Sequence, residues 1–136
     1  MRRMRARHGA IVLVLLVVTA CATSTPPSVR VTDIRTLAGH YSGTLKEDGE
    51  LSRSAVLIVE SDGKFEVRAS DPRGFRTNGE LILESDGTLT YTYGEMRGQG
   101  RVAQGKGVVH EGDGQRVIVL TKTDGTMTTR VAKSLP

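Results

Sequence analysis

Hydrophobic and polar residues alternate along much of this chain. In Lys64-Phe65-Glu66-Val67-Arg68-Ala69 the apolar side chains fall on one face and the charges on the other, the period of two that a half-buried strand requires. Thr88-Leu89-Thr90-Tyr91-Thr92-Tyr93 repeats the pattern, with threonines outward and Leu89, Tyr91 and Tyr93 inward. The same reading predicts strands over Tyr41–Glu47, Ser54–Glu60, Lys64–Ser70, Glu80–Glu84, Thr88–Tyr93, Lys106–His110, Arg116–Thr121 and Thr126–Ala132. Phe75–Thr77 suits the start of the fourth, and Arg101–Ala103 suits a further short strand. Thr32–Ala38 fits one helical turn, with Thr32 or Asp33 as its cap. No other stretch carries helical periodicity.

Turn chemistry separates the runs. Asp-Gly pairs stand at Asp48-Gly49, Asp62-Gly63, Asp86-Gly87, Asp113-Gly114 and Asp124-Gly125, joined by Asn78-Gly79. Such pairs supply the positive φ angles of type I′ hairpins. The expected architecture is all-β, a small antiparallel meander of about eight strands closing into a barrel or a sandwich. Its core candidates are Phe65, Val67, Leu83, Leu89, Tyr91 and Tyr93. Ala55-Val56-Leu57-Ile58-Val59 and Val117-Ile118-Val119-Leu120 break the alternation and are apolar on both faces. Either loops or the N-terminal segment cover the second face, or it is a contact surface for a partner or a second copy.

The first twenty residues follow a different logic. Arg2, Arg3, Arg5 and Arg7 precede an apolar run from Ala10 to Ala20, with no acidic residue among them. That run is well short of the roughly 20 residues a membrane-spanning helix needs, but suits the positive and apolar regions of an export signal. It ends in Leu16-Val17-Val18-Thr19-Ala20-Cys21-Ala22, and Cys21 is the chain's only cysteine. This resembles a bacterial lipoprotein signal peptide, whose lipobox cysteine is acylated and becomes the new N-terminus. The resemblance implies a signal peptide over 1–20 and a membrane anchor on Cys21. Because Ala22 rather than aspartate follows, it also implies the periplasmic face of the outer membrane. Several acyl chains hold a protein far more firmly than one, at about 0.8 kcal/mol per buried methylene.

Removing the leader changes the charge. The whole chain has 19 basic and 15 acidic residues. Without the four leader arginines the two signs balance, so neither a nucleic-acid partner nor an anionic surface is implied. Ala22 to about Val31 is rich in Thr, Ser and Pro, the composition of a flexible tether. The domain organisation expected is a signal peptide at 1–20, a lipidated tether at 21–35 and an all-β domain at 36–136.

Catalytic and ligand motifs are sparse. Gly100-Arg101-Val102-Ala103-Gln104-Gly105-Lys106-Gly107 approaches a phosphate-binding loop, but Gly107 occupies the Ser/Thr position and no helix follows. The glycines at 94, 98, 100, 105 and 107 fit a flexible connection or bulged strands better. His40 and His110 are the only histidines beyond the leader, with no further cysteine or histidine at ligand spacing. No Gly-x-Ser-x-Gly elbow is present. Neither a metal nor another cofactor is expected.

Leu37-Ala38-Gly39-His40-Tyr41 is similar to the Gly-x-Trp opening of lipocalin-type barrels, with Tyr41 in place of tryptophan. That resemblance implies a lipocalin-like barrel in which Gly39 and Tyr41 open the first strand and Arg130 packs over the Tyr41 ring. The expectation for function is a non-catalytic, membrane-anchored module that binds an envelope protein or a small apolar ligand. The alternative is an inhibitor of envelope enzymes, or a hydrolase acting on envelope components. The candidate contact loop carries Glu95, Met96, Arg97 and Gln99.

Overall fold

A computed structural model describes residues 25–70, 74–94 and 102–136. A two-residue strand, β1 (Ser28–Val29), and a 3-10 turn, η1 (Ile34–Leu37), precede eight longer strands. These are β2 (Gly39–Glu47), β3 (Arg53–Val59), β4 (Lys64–Ala69), β5 (Phe75–Leu83), β6 (Leu89–Gly94), β7 (Val102–Gly112), β8 (Gln115–Lys122) and β9 (Met127–Ser134). Each pairs antiparallel with the next, and β9 returns to pair with β2. The meander therefore closes into an eight-stranded barrel with β1 as an extra strand, which settles barrel against sandwich. Closure removes the open sheet edges that a sandwich of short strands must protect.

The inward phase follows the sequence pattern. Tyr41, Leu45, Leu57, Val67, Leu81, Leu89, Tyr91, Ile118 and Val131 are buried within one core cluster, and an eight-stranded barrel has an interior that such side chains can fill. Phe65 packs edge-on to Tyr91, with ring centroids 6.1 Å apart, and Tyr93 stacks on Tyr91 at 5.8 Å. Asn78-Gly79, expected to turn, instead lies in mid-β5 opposite Glu66 and Phe65. Its glycine is there for space: a Cβ at Gly79 would lie 2.5 Å from the Phe65 ring. Gly105 likewise leaves room for the Tyr91 ring, and Gly107 for Leu89, within one unbroken β7. The separate short strand expected at Arg101–Ala103 is the start of β7, so from Val102 onward the supposed flexible connection is regular strand.

The turns also differ in type. Only Asp113-Gly114 has positive φ at both residues, 51° and 71°, as type I′ requires. At 60–64 and 84–88, Gly63 N–H donates to Glu60 and Gly87 N–H to Glu84, while Glu60 and Glu84 N–H bond back to Lys64 and Thr88. Only the glycine is left-handed there, a type I turn followed by a glycine bulge. Both turns read Glu-Ser-Asp-Gly, and their aspartates accept the backbone N–H two residues on, at 3.0 and 2.8 Å. Those bonds, with Lys64 beside Asp62, favour the carboxylate and hold both pKa values below the ordinary aspartate range; Thr126 does the same for Asp124. Because the folded carboxyls bind protons less readily than the unfolded ones, their contribution is complete above the unfolded pKa of about 3.9 and is lost as pH falls below it. Thermal midpoints should be flat between about pH 5 and 8 and drop below about pH 4; circular-dichroism melts showing a rise on acidification would contradict this.

The N-terminal segment is docked, so the free tether is shorter than 21–35. Ser28 and Val29 pair with His110 and Val109, Pro26 O lies 2.8 Å from His110 Nδ1, and Glu111 N–H donates to Pro27 O. Arg30 reaches Asp86 O at 3.0 Å, and Val31 is buried. The apolar positions that break the β3 alternation divide by face. Leu57 and Val59 are buried, Ile58 is half-buried and Val56 stands on the outer wall. That wall also carries Glu66, Arg68, Arg76, Lys106 and Arg130, charges that a lipid-facing barrel wall does not tolerate at mid-depth.

Candidate functional site

The two ends of the barrel differ. At one end η1 closes the interior. Asp33 caps the turn by accepting from Arg35 N–H at 3.0 Å, and Leu37 turns inward with 1% exposure. Three side chains from separate strands tie it down. The Tyr41 hydroxyl donates to Leu37 O at 2.7 Å, Lys133 Nζ donates to Ala38 O at 2.6 Å, and Arg116 donates to Thr36 O. Arg116 is itself held by Glu111, with Nε 2.6 Å from Oε1. Side chains thus satisfy carbonyls that a short turn leaves open.

Gly39 and Tyr41 stand beside this plug at the start of β2. Arg130 does not: it is exposed on the outer wall, opposite Thr44 and Val119. The cation on the Tyr41 ring is Lys133, 4.8 Å from its centroid. The reason is phase. Met127, Thr129, Val131 and Lys133 share the inward face of β9, whereas Arg130 is one residue out of step. The alternation rule could have selected Lys133 directly from the sequence.

At the opposite end, the hairpins at 48–52 and 123–126 form the described rim. Glu47 and Arg53, both in the inward phase, pair there at 2.6 Å with Arg53 largely buried. Lys122 lies 3.3 Å from Asp124. Beneath them Phe65, Val67, Thr77, Tyr91, Tyr93, Leu120, Met127 and Thr129 surround a small interior space. A water's centre can move through only about 10 Å³ of it, which is roughly one water's worth. Burial raises the Tyr91 hydroxyl well above its ordinary pKa, so it stays protonated. Among the described residues it meets no hydrogen-bond partner. The centre is a packed core with one aromatic wall rather than a ligand chamber.

The remaining predicted residues are dispersed. Cys21 lies outside the described residues, as do Glu95, Met96, Arg97 and Gln99 of the candidate contact loop; the strands flanking that loop meet at Gly94 and Val102. His40 is exposed on β2 and His110 is held by Pro26 on β7, two strands that are not neighbours. Among the described residues no three His, Cys, Asp or Glu side chains come together as metal ligands would. On the outer wall, Ile58, Glu60, Lys64, Glu66, Arg68 and Asn78 border an open hollow of about 370 Å³. Glu66 there accepts from Arg68 and, at 2.6 Å, from Arg76, and these bonds hold its carboxyl below the ordinary glutamate range. Lys64 at its border pairs with Asp62 at 2.9 Å, so three of the hollow's four charged side chains already sit in ion pairs.

Fold and site together define a class: a closed eight-stranded antiparallel barrel, plugged at one end and packed with side chains through its centre. Comparison with protein-family models, curated proteins and solved structures finds no match to this chain.

Proposed function

We propose that the chain is an envelope lipoprotein: an acyl anchor on Cys21 carrying a non-catalytic barrel that works through its surface. The filled centre is the observation that carries the surface reading, because the free space beside Tyr91 and Met127 admits no more than a water. An apolar ligand of even a few carbons needs a larger enclosed volume. The anchor rests on the arginine-led apolar run ending at Cys21. Localisation at the periplasmic face of the outer membrane rests on Ala22 at the position after the cysteine.

Both halves have direct tests. Mass spectrometry of the membrane-fraction protein should find Cys21 acylated at a new N-terminus, and Cys21→Ala should move most of the protein out of that fraction. An unmodified thiol on membrane-associated protein overturns the anchor. Native mass spectrometry of the detergent-exchanged barrel should show no tightly held small molecule; a stoichiometric lipid would return the function to the interior.

A further inference from the structure

We propose that two of the five Asp-Gly pairs, Asp48-Gly49 and Asp113-Gly114, are sites of spontaneous isoaspartate formation in the folded barrel, and that the turns protect the other three. The glycine nitrogen attacks the aspartate Cγ, its proton and the carboxyl hydroxyl leave as water, and a cyclic imide forms. Water then opens the ring at either carbonyl. Opening at the former backbone carbonyl leaves the chain running through the aspartate side chain, one methylene longer. The reaction needs a free nitrogen, a free carboxyl and a peptide able to rotate, and glycine hinders that rotation least.

Position within the turn decides which pairs are free. In the turns at 60–63, 84–87 and 122–125 the glycine comes last, and its N–H closes the turn onto Glu60 O at 3.1 Å, Glu84 O at 2.9 Å and Lys122 O at 2.8 Å. The aspartate before it accepts the N–H of Lys64, Thr88 or Thr126 at 3.0, 2.8 and 3.0 Å. Nucleophile and electrophile are each bonded elsewhere. The same neighbours hold these three carboxyls below the ordinary aspartate range, away from the protonated form that loses its hydroxyl as water. At 47–50 and 112–115 the pair sits one place earlier, in the middle of the turn. There Glu50 N–H, not that of Gly49, donates to Glu47 O at 3.1 Å, and Gly112 pairs with Gln115. Among the described residues, the N–H groups of Gly49 and Gly114 and the carboxylates of Asp48 and Asp113 have no hydrogen-bond or ion-pair partner. All four residues are exposed, and a Cβ on either glycine would meet nothing within 4 Å, so neighbouring atoms do not stop the peptide from turning.

The two sites stand at opposite ends of the barrel, Asp48 on the rim and Asp113 at the η1 end. An added methylene at Asp113 falls between the paired Gly112 and Gln115, where Leu135 N–H donates to Gly114 O at 2.7 Å. The docked N-terminal strap, residues 26–31, meets His110, Glu111 and Gly112 beside it. Loop length fixes the register of a hairpin, so a longer backbone there disturbs both contacts. At Asp48 the contact at risk is its own N–H on Thr126 O, 2.9 Å away. Asn78-Gly79, which could form the same imide with loss of ammonia, is locked in mid-β5 between β4 and β6.

The test keeps the purified full chain folded in detergent, warm and at neutral pH, for several weeks beside a sample in concentrated urea. Peptide mapping with electron-transfer fragmentation then distinguishes aspartate from isoaspartate at each position. In the folded sample isoaspartate should build up at Asp48 and Asp113 about tenfold faster than at Asp62, Asp86 and Asp124, the ratio given by about 1.4 kcal/mol of hydrogen bonding that must first be broken. In urea the five rates should fall within about threefold of one another, because the turns are gone. Asn78 should deamidate in urea and stay intact in the folded sample. Asp48 or Asp113 reacting no faster than the three held aspartates overturns the assignment, and so does loss of Asn78 in step with them. A spread in urea as wide as in the folded sample also overturns it, since neighbouring residues rather than turns would then set the rates.

Discussion

Gly105→Val is expected to leave the barrel unfolded at room temperature. A Cβ on Gly105 would stand 2.3 Å from Thr121 O and 2.4 Å from two ring atoms of Tyr91. The carbonyl belongs to the neighbouring strand, and Tyr91 is wedged between Phe65 and Tyr93. Neither neighbour can withdraw without breaking β7–β8 pairing or the aromatic stack. Overpacking a core typically costs about 1–3 kcal/mol for added methylenes that side chains can accommodate. Here backbone must move as well, so the cost should exceed ~3 kcal/mol, a large share of the 5–15 kcal/mol available to a small domain. Gly94→Ala is the control. Nothing lies within 4 Å of its Cβ position, and the unfolded chain loses freedom, so it should be neutral or stabilising by up to about 1 kcal/mol. Urea unfolding reads both. Equal midpoints for the two variants would refute the close-packing role.

These glycines show where sequence reading stops. Alternation and turn chemistry located the eight barrel strands to within a few residues, but not β1, and put Phe65, Val67, Leu89, Tyr91 and Tyr93 inside, with Leu83 only partly buried at the core's edge, because a period of two is a local property. The reason for Gly79 and Gly105 is not local. Each faces an aromatic ring on the adjacent strand, and register between strands cannot be read from spacing along one of them. Asn78-Gly79 therefore looked like a turn when its glycine clears space for Phe65. The strap was misread for a related reason. Composition from Ala22 to Val31 is that of a tether, yet Val29 and Val31 pack on the core, β1 taking the edge of β7 that β6, which begins at Leu89 opposite Gly107, leaves open beyond it. At the plug the local rule was sufficient but applied to the wrong residue. Arg130 was chosen by resemblance, and the phase of β9 selects Lys133.

Tyr41→Ala is expected to open the plugged end, at a cost of about 4 kcal/mol. The ring is fully buried and touches both the core and the Lys133 ammonium. Its loss removes a large apolar volume and strips Leu37 O of its donor. Two milder substitutions separate the contributions of the ring and the hydroxyl. Tyr41→Phe keeps the ring and deletes a hydrogen bond in a buried setting, which costs about 1–2 kcal/mol. Tyr91→Phe deletes a hydroxyl with no hydrogen-bond partner among the described residues, so its midpoint should move by less than about 0.5 kcal/mol. Lys133→Ala should cost about 1–2 kcal/mol through the lost Ala38 bond and the cation–π contact, whereas Arg130→Ala on the outer wall should fall within about 0.5 kcal/mol. If the plug is what keeps the strap in register, Tyr41→Ala should also expose the segment before Gly39 to proteolysis before the barrel itself unfolds. Matching costs for Tyr41→Phe and Tyr91→Phe, or a larger cost for Arg130→Ala than for Lys133→Ala, would mean that the plug is not held by these contacts.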